Sequence, residues 1–518
     1  MSSGNGSYDA IVVGAGHNGL TAACMLAKEG RRVMVLERRN VTGGLCAGEE
    51  FHPGYRTAGL LHDTTGVRQW VAEALSLHEY GLSRAPEPLR VLSPQRKGRG
   101  LVLSLDPGAS AGEIAAFSGK DALQYTRHRG FVERVRGVVS DAMNEVPADW
   151  VNIGAGSVTT MFRRAMAVRR LGQRDMIELV RVAPMCVADW LNEWFETELL
   201  KCSLAMPAIL GGWAGPWSPG TSATLLLWEC LAGNPAQGGP ASVVSALDRA
   251  AKHLGVEVRT SCTVERIRLG KAGVEGVRLA NGEEIDAPLV LSSADPETTF
   301  LRLLEPGTVT SKLEARVRSW RLRGTTAKVH LALEKPLEFT CRPGEVFEYA
   351  RTGEELEELE RAFDPVKYRS APENPVLDIF VPSVSRPELA PDGHAVVSVL
   401  AHFFPYHYDA GWTDGEREKL GDTIVAALEA YAPGVAGSIV AREVLTPLDI
   451  ERRYGVSCGH IYHGEHGLDQ IAVRPAPEAA RYATLIAGLF LCGSGAHAGG
   501  GVSCAPGALA ARAAAATR

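Results

Sequence analysis

No stretch of the 518-residue sequence is an uninterrupted apolar run of the roughly 20 residues that a membrane-spanning helix requires. The opening residues, Met1 to Asp9, are polar and lack the basic-then-apolar order of an export signal. Basic residues are not in excess: 54 Lys+Arg against 60 Asp+Glu leave a net charge of −6. That argues against a nucleic-acid binder whose affinity rests on a basic surface. The 10 cysteines form no CxxC pair, and the 14 histidines no HExxH, so no metal site is expected. There is no GxSxG elbow for a nucleophilic serine. With no export signal, reduced thiols are the default, and a cytoplasmic location is expected.

Glycine is abundant, at 56 residues, and much of it is clustered. Asp9-Ala10-Ile11-Val12-Val13-Gly14 reads as a buried strand stopped by glycine. Gly14-Ala15-Gly16-His17-Asn18-Gly19 follows, then a helical stretch closed by Gly30, then a second strand ending at Glu37. A GxGxxG between a strand and a helix, with an acid about 20 residues on, is a dinucleotide-binding arrangement. Gly14 permits the tight turn, Gly16 lets backbone approach a pyrophosphate, and Gly19 lets the helix pack on the strand. The helix start at Asn18 directs free N–H groups and a positive dipole end at the phosphates. Glu37 can accept hydrogen bonds from the ribose hydroxyls, and it disfavours the 2′-phosphate of NADP. Beyond it, Arg38-Arg39-Asn40-Val41-Thr42-Gly43-Gly44 adds a paired glycine that lets the chain run flat along a dinucleotide.

The other end of the sequence repeats the theme. Gly488-Leu489-Phe490-Leu491-Cys492-Gly493 is a short apolar strand. Ser494-Gly495-Ala496-His497-Ala498-Gly499-Gly500-Gly501-Val502 then feeds an alanine-rich helix reaching about Ala516. A glycine loop at a helix start suits an electron-rich oxygen.

These stretches, with 238–296 and 449–475, resemble the phytoene-desaturase-like FAD-dependent oxidoreductases of the amine oxidase superfamily. Within them the resemblance is to the branch of the pyridine nucleotide-disulfide oxidoreductase domain-containing protein 2. It implies an α/β fold: a Rossmann-like FAD-binding domain with an inserted α+β substrate domain. The FAD domain is expected at 1–105, 235–300 and 485–518, and the substrate domain at 106–234 and 301–484. The resemblance implies FAD contacts from Gly14, Gly16, Asn18, Gly19, Glu37, Arg38, Gly43, Gly44, Leu45, Val264, Gly493, Gly500, Gly501 and Val502. Leu45-Cys46 stands where the family has Arg after the glycine pair, and Ala496 and Ala498 replace a Thr and a Pro.

Three residues are candidates for chemistry. His463, in Gly459-His460-Ile461-Tyr462-His463-Gly464, suits acid/base work near neutral pH, or is a structural loop histidine. Lys328, on an expected strand over 325–333, matches a family lysine roofing the flavin, or is a strand-edge lysine in solvent. His62 follows Gly59-Leu60-Leu61 and is a third candidate. His497 is expected close to the flavin. Cys46, Cys492 and Cys504 lie by the expected flavin loops; small buried thiols are the simpler reading than a flavin–sulfur bond. Trp228-Glu229 stands where the family often has two adjacent histidines; its aromatic surroundings fit an apolar pocket or a core.

Residues 158–195 interleave Arg163, Arg164, Arg169, Arg170, Arg174 and Arg181 with Met161, Phe162, Met166 and Leu171. They read as a peripheral membrane patch admitting a lipophilic substrate, or as helices with a solvated basic face. The function expected is an FAD-dependent oxidoreductase that desaturates or oxidises a rather apolar small molecule by hydride transfer to the flavin. The alternatives are a flavin-dependent isomerase of a polyene-like substrate and a flavin-binding scaffold without turnover.

Overall fold

The computed structural model describes residues 8–149 and 151–516; the polar first seven residues lie outside this range. Five parallel strands form one sheet in the order Leu489–Leu491, Val290–Ser292, Ala10–Val13, Val33–Leu36, Glu257–Arg259. Three distant parts of the chain thus share one sheet. Its central strands carry Ile11, Val12, Val35, Val290 and Leu291, fully covered on both faces, as parallel strands between helices must be. The helix His17–Lys28 packs between the helices Gly239–His253 and Ala505–Ala515. The last contact is tight: a Cβ on Gly507 would fall 2.0 Å from the Asn18 carbonyl oxygen.

A second, mostly antiparallel sheet has seven strands, in the order Ile439–Leu445, Thr326–Leu333, Ala395–His402, Val376–Phe380, Tyr349–Arg351, Arg90–Ser93, Leu101–Ser104. Alternation divides its residues between two faces. Val329, Leu331, Val397, Val399, Leu377 and Ile379 bury one face with Leu420, Ile424 and Leu428 of the helix Asp414–Glu429. On the other face the register aligns Lys328, Leu400, Asp378 and Arg351 in one row across four strands. A group of helices around the buried Trp190 completes this half.

The strands Arg90–Ser93 and Leu101–Ser104 differ from the expected boundary at residue 105. They are hydrogen-bonded into the seven-stranded sheet, antiparallel to each other, with Arg90–Ser93 parallel to Tyr349–Arg351. Helix Ala155–Arg170 buries no side chain and leaves Val158 and Phe162 exposed. Among the described residues no helix is long and apolar enough to cross a membrane.

Candidate functional site

A cleft with about 1400 Å³ of empty space, its open mouth included, runs along the carboxyl ends of the parallel strands. Gly14, Gly16, Asn18, Gly19, Glu37, Arg38, Gly44, Leu45 and Val264 all line it. Gly16 has an extended backbone that any residue adopts, yet a Cβ there would meet nothing within 4 Å. Its glycine is explained by the cleft rather than by the protein around it. Gly19 has the opposite reason, since its Cβ would fall 2.1 Å from the Gly14 carbonyl oxygen. Glu37 is buried at the cleft wall, accepting from the backbone N–H groups of Ala15 and Arg39, each at 2.8 Å. A carboxylate offers about four acceptor positions, so capacity remains for sugar hydroxyls. Asn18 Oδ1, His17 Nε2 and His463 Nδ1 are buried, border the cleft and have no protein partner. An open glycine, an acid and three unpartnered polar atoms along a Rossmann turn fit a dinucleotide such as FAD.

Gly43 lies behind the cleft wall, donating its N–H to the Ala15 carbonyl at 2.8 Å. Gly493 packs on Ser293, where a Cβ would meet the carbonyl oxygen at 2.2 Å. Gly500 donates to His466 Nε2 at 3.1 Å and lies against Tyr462. Gly501 and Val502 border a separate chamber, described below. His497 departs from its expected place: its Nε2 meets the Ala142 carbonyl oxygen at 3.0 Å, on helix Gly119–Asn144, and it borders neither the cleft nor that chamber. Cys46, Cys492 and Cys504 are buried free thiols. Burial raises all three, Cys504 to about 11, which keeps the sulfurs protonated.

The C-terminal loop is tied down by Arg474. This fully buried guanidinium donates to the carbonyls of Tyr462, Gly464, Glu465 and Ser494 at 2.8–3.1 Å. Burial lowers it to about 9. His463 lies in the segment so clamped, half-buried, and borders the cleft rather than the chamber. Burial pushes its pKa down against the pull of Asp295. The expected acid/base part of His463 would thus be played from the cofactor side.

The polar row of the seven-stranded sheet faces the chamber beside the cleft. Lys328 is not at an edge: its strand lies between two others and the residue is completely buried. Its Nζ donates to the Leu60 carbonyl at 2.7 Å and to His62 Nε2. His62 Nδ1 lies 2.9 Å from Asp378 Oδ2, and Arg351 Nε lies 2.9 Å from Asp378 Oδ1. Burial, helped by the neighbouring Lys328, pushes His62 down to about 3, and burial holds Lys328 far below the usual lysine range. Burial opposes the charge on Asp378, but Arg351 and His62 outweigh it and keep the carboxyl below its ordinary range. With His62 neutral, Nδ1 carries the proton toward Asp378 and Nε2 accepts from Lys328.

Leu61 borders both the cleft and the first chamber, to which His62, Arg351, Asp378 and His402 belong. Asp63, Pro207, Trp228 and Arg351 border this chamber and a second one. The second has about 850 Å³ of empty space, openings included, and is walled by Leu89, Val91, Leu103 and Leu105. Sequence reasoning missed Arg351 and Asp378, and it met Arg474 only as part of the motif around His463, without its clamping role. Asp378 carried a signal, a single acid inside the apolar run Val376-Leu377-Asp378-Ile379-Phe380. The register that places Arg351 beside it has no local sequence mark.

Comparison with known proteins agrees with this geometry. Residues 12–72 match the NAD(P)-binding Rossmann-like domain, and residues 188–517 match the flavin containing amine oxidoreductase family. Pyridine nucleotide-disulfide oxidoreductase domain-containing protein 2 of Rattus norvegicus is 32% identical, with 96% of this chain and 92% of the rat protein aligned. A lycopene-forming phytoene desaturase of Pseudescherichia vulneris is 25% identical, with 95% of each chain covered. A putrescine oxidase with a redesigned cofactor site shares the fold at a TM-score of 0.60 and 15% identity, covering 98% of both chains.

Proposed function

Because the chain belongs to the flavin containing amine oxidoreductase family and is an FAD-dependent oxidoreductase, we propose that it desaturates or oxidises a small organic molecule with a largely apolar body. The observation that carries this reading is a set of neighbouring cavities with shared walls: the dinucleotide cleft and the first chamber share Leu61, and the first chamber shares Pro207 and Trp228 with a second one walled by aliphatic residues. The phytoene desaturase relative supports oxidation at carbon.

When bound, FAD supplies a two-electron acceptor. Gly14, Gly16 and Asn18 would hold its pyrophosphate, Glu37 its ribose and Val264 its adenine end. His17 and His463 would contact it from the cleft wall. The aliphatic residues of the second chamber orient the substrate body and exclude water. His62 borders the first chamber with Asp378 and Arg351, and its ring is held at both nitrogens, by Lys328 at Nε2 and by Asp378 at Nδ1. Lys328 behind it, whose charged form burial disfavours, is the cluster's proton carrier at Nζ. Asp378, anchored by Arg351, fixes the ring through Nδ1.

The test is anaerobic mixing of purified FAD-loaded protein with candidate substrates. Bleaching of the flavin and a product lighter by two hydrogens are expected. A product of unchanged mass would point to isomerisation, and no bleaching by any lipophilic candidate would count against the proposal. Peripheral contact with a membrane belongs to the same reading, through the exposed Val158 and Phe162 and the arginines of helix Ala155–Arg170. Phe162→Asp is expected to weaken co-sedimentation with anionic vesicles; equal sedimentation would remove that part.

A further inference from the structure

We propose that the substrate carries a hydrogen-bond-donating head group, a hydroxyl or an ammonium, which the free carboxylate oxygen of Glu229 receives in the second chamber. The inference rests on the reading that these chambers hold the substrate. Glu229 projects from the helix Thr221–Leu231, and its side chain is 11% exposed. One oxygen, Oε1, lies 3.0 Å from Arg129 Nη1, on the facing helix Gly119–Asn144. The other, Oε2, is buried with no hydrogen-bond partner in the protein. A buried acceptor left unmatched is costly, and Glu229 borders a chamber from which a ligand can supply the missing donor.

The surroundings set the rest of the ligand. Leu89, Val91, Leu103, Leu105 and Leu204 wall the same chamber, so the body is apolar. Charge favours a donor over an anion. The two chambers are bordered by the acids Asp63, Glu229 and Asp378 and by the bases Arg129 and Arg351. Arg129 pairs with Glu229 and Arg351 with Asp378. That leaves Asp63, which accepts from the Thr65 backbone N–H at 2.7 Å, as the surplus negative group. A carboxylate head would meet this surplus and the free Glu229 oxygen, and a hydrocarbon would leave both unmatched. Glu229 borders the second chamber but not the first, so the head is held one chamber away from the cleft.

Difference spectroscopy of the FAD-loaded protein tests this with four probes of one chain length: octan-1-ol, octylamine, octanoate and octane. Octan-1-ol and octylamine are expected to perturb the flavin band at concentrations about tenfold below the other two. Glu229→Gln, which keeps an acceptor but not the charge, is expected to weaken octylamine about tenfold and octan-1-ol less than about threefold. Glu229→Leu should erase the preference for both. Octane or octanoate binding as tightly as the donors would overturn the proposal, as would an unchanged preference in Glu229→Leu or no perturbation by any probe. If a variant does not load FAD, the wild-type series alone decides. Failure of the wild type to take up FAD would overturn the underlying reading, and this one with it. Bleaching by hydrocarbons with no preference for donors would overturn this inference only.

Discussion

Lys328 and Asp378 stand in one row of a sheet face with Leu400 between them, yet their removal should have different signatures. Lys328→Met deletes an amine whose burial already disfavours its charge, and a methionine fills the same volume. Turnover is expected to fall about 100-fold, with FAD content unchanged and a smaller loss of stability than in Asp378→Ala, since only the Leu60 carbonyl and His62 Nε2 lose a donor. An unaltered rate of flavin bleaching would dismiss Lys328 from the chemistry. Asp378→Ala strips Arg351 and His62 of their shared partner inside the protein, which should cost about 3 kcal/mol of stability. Urea unfolding checks this, and a loss below about 1 kcal/mol would contradict the pairing described. Lys328 and His62 were legible as separate candidates because each stood beside a motif. Their contact was not, since residues 266 apart meet only through sheet register and the loop that follows Gly59.

Glycines at two element boundaries separate packing from binding. Gly16→Val adds atoms where nothing lies within 4 Å and where the backbone is ordinary. FAD retention should be lost while the FAD-free variant melts with the FAD-free wild type. Gly507→Ala instead drives a methyl group into the Asn18 carbonyl across a helix–helix contact. It should cost about 1–3 kcal/mol and also loosen FAD, because Asn18 borders the cleft. A Gly507→Ala protein with wild-type melting would contradict the close approach. Elements were the most readable level of the sequence. The expected strand over 325–333 is found at Thr326–Leu333, and the alanine-rich terminal helix at Ala505–Ala515. Periodicity and glycine punctuation mark such elements locally. The sheet joined by Arg90–Ser93 and Leu101–Ser104 was not readable, because two four-residue strands with consecutive apolar residues fit either sheet.

Across the whole molecule, buried neutral histidines set the response to acid. His17, His402 and His497 are held at about 4, and His62 and His460 at about 3, in each case first by burial. An unfolded histidine titrates near 6.5. Between those values the unfolded chain binds more protons than the folded one. The stability is therefore whole above about pH 6.5 and is lost as the pH falls toward 4. Each such histidine contributes a slope of about 1.4 kcal/mol per pH unit inside the window. The urea midpoint should drop steeply from pH 7 to pH 5; a flat profile would mean that these rings are hydrated or charged in the folded state. The five-stranded sheet has a consequence for biosynthesis. The strand Ala10–Val13 leaves the ribosome long before Leu489–Leu491 and the helix that follows it, yet the two strands belong to one layer. A nascent polypeptide stalled before residue 489 has no finished cradle, so pigment uptake must wait until that segment has been made.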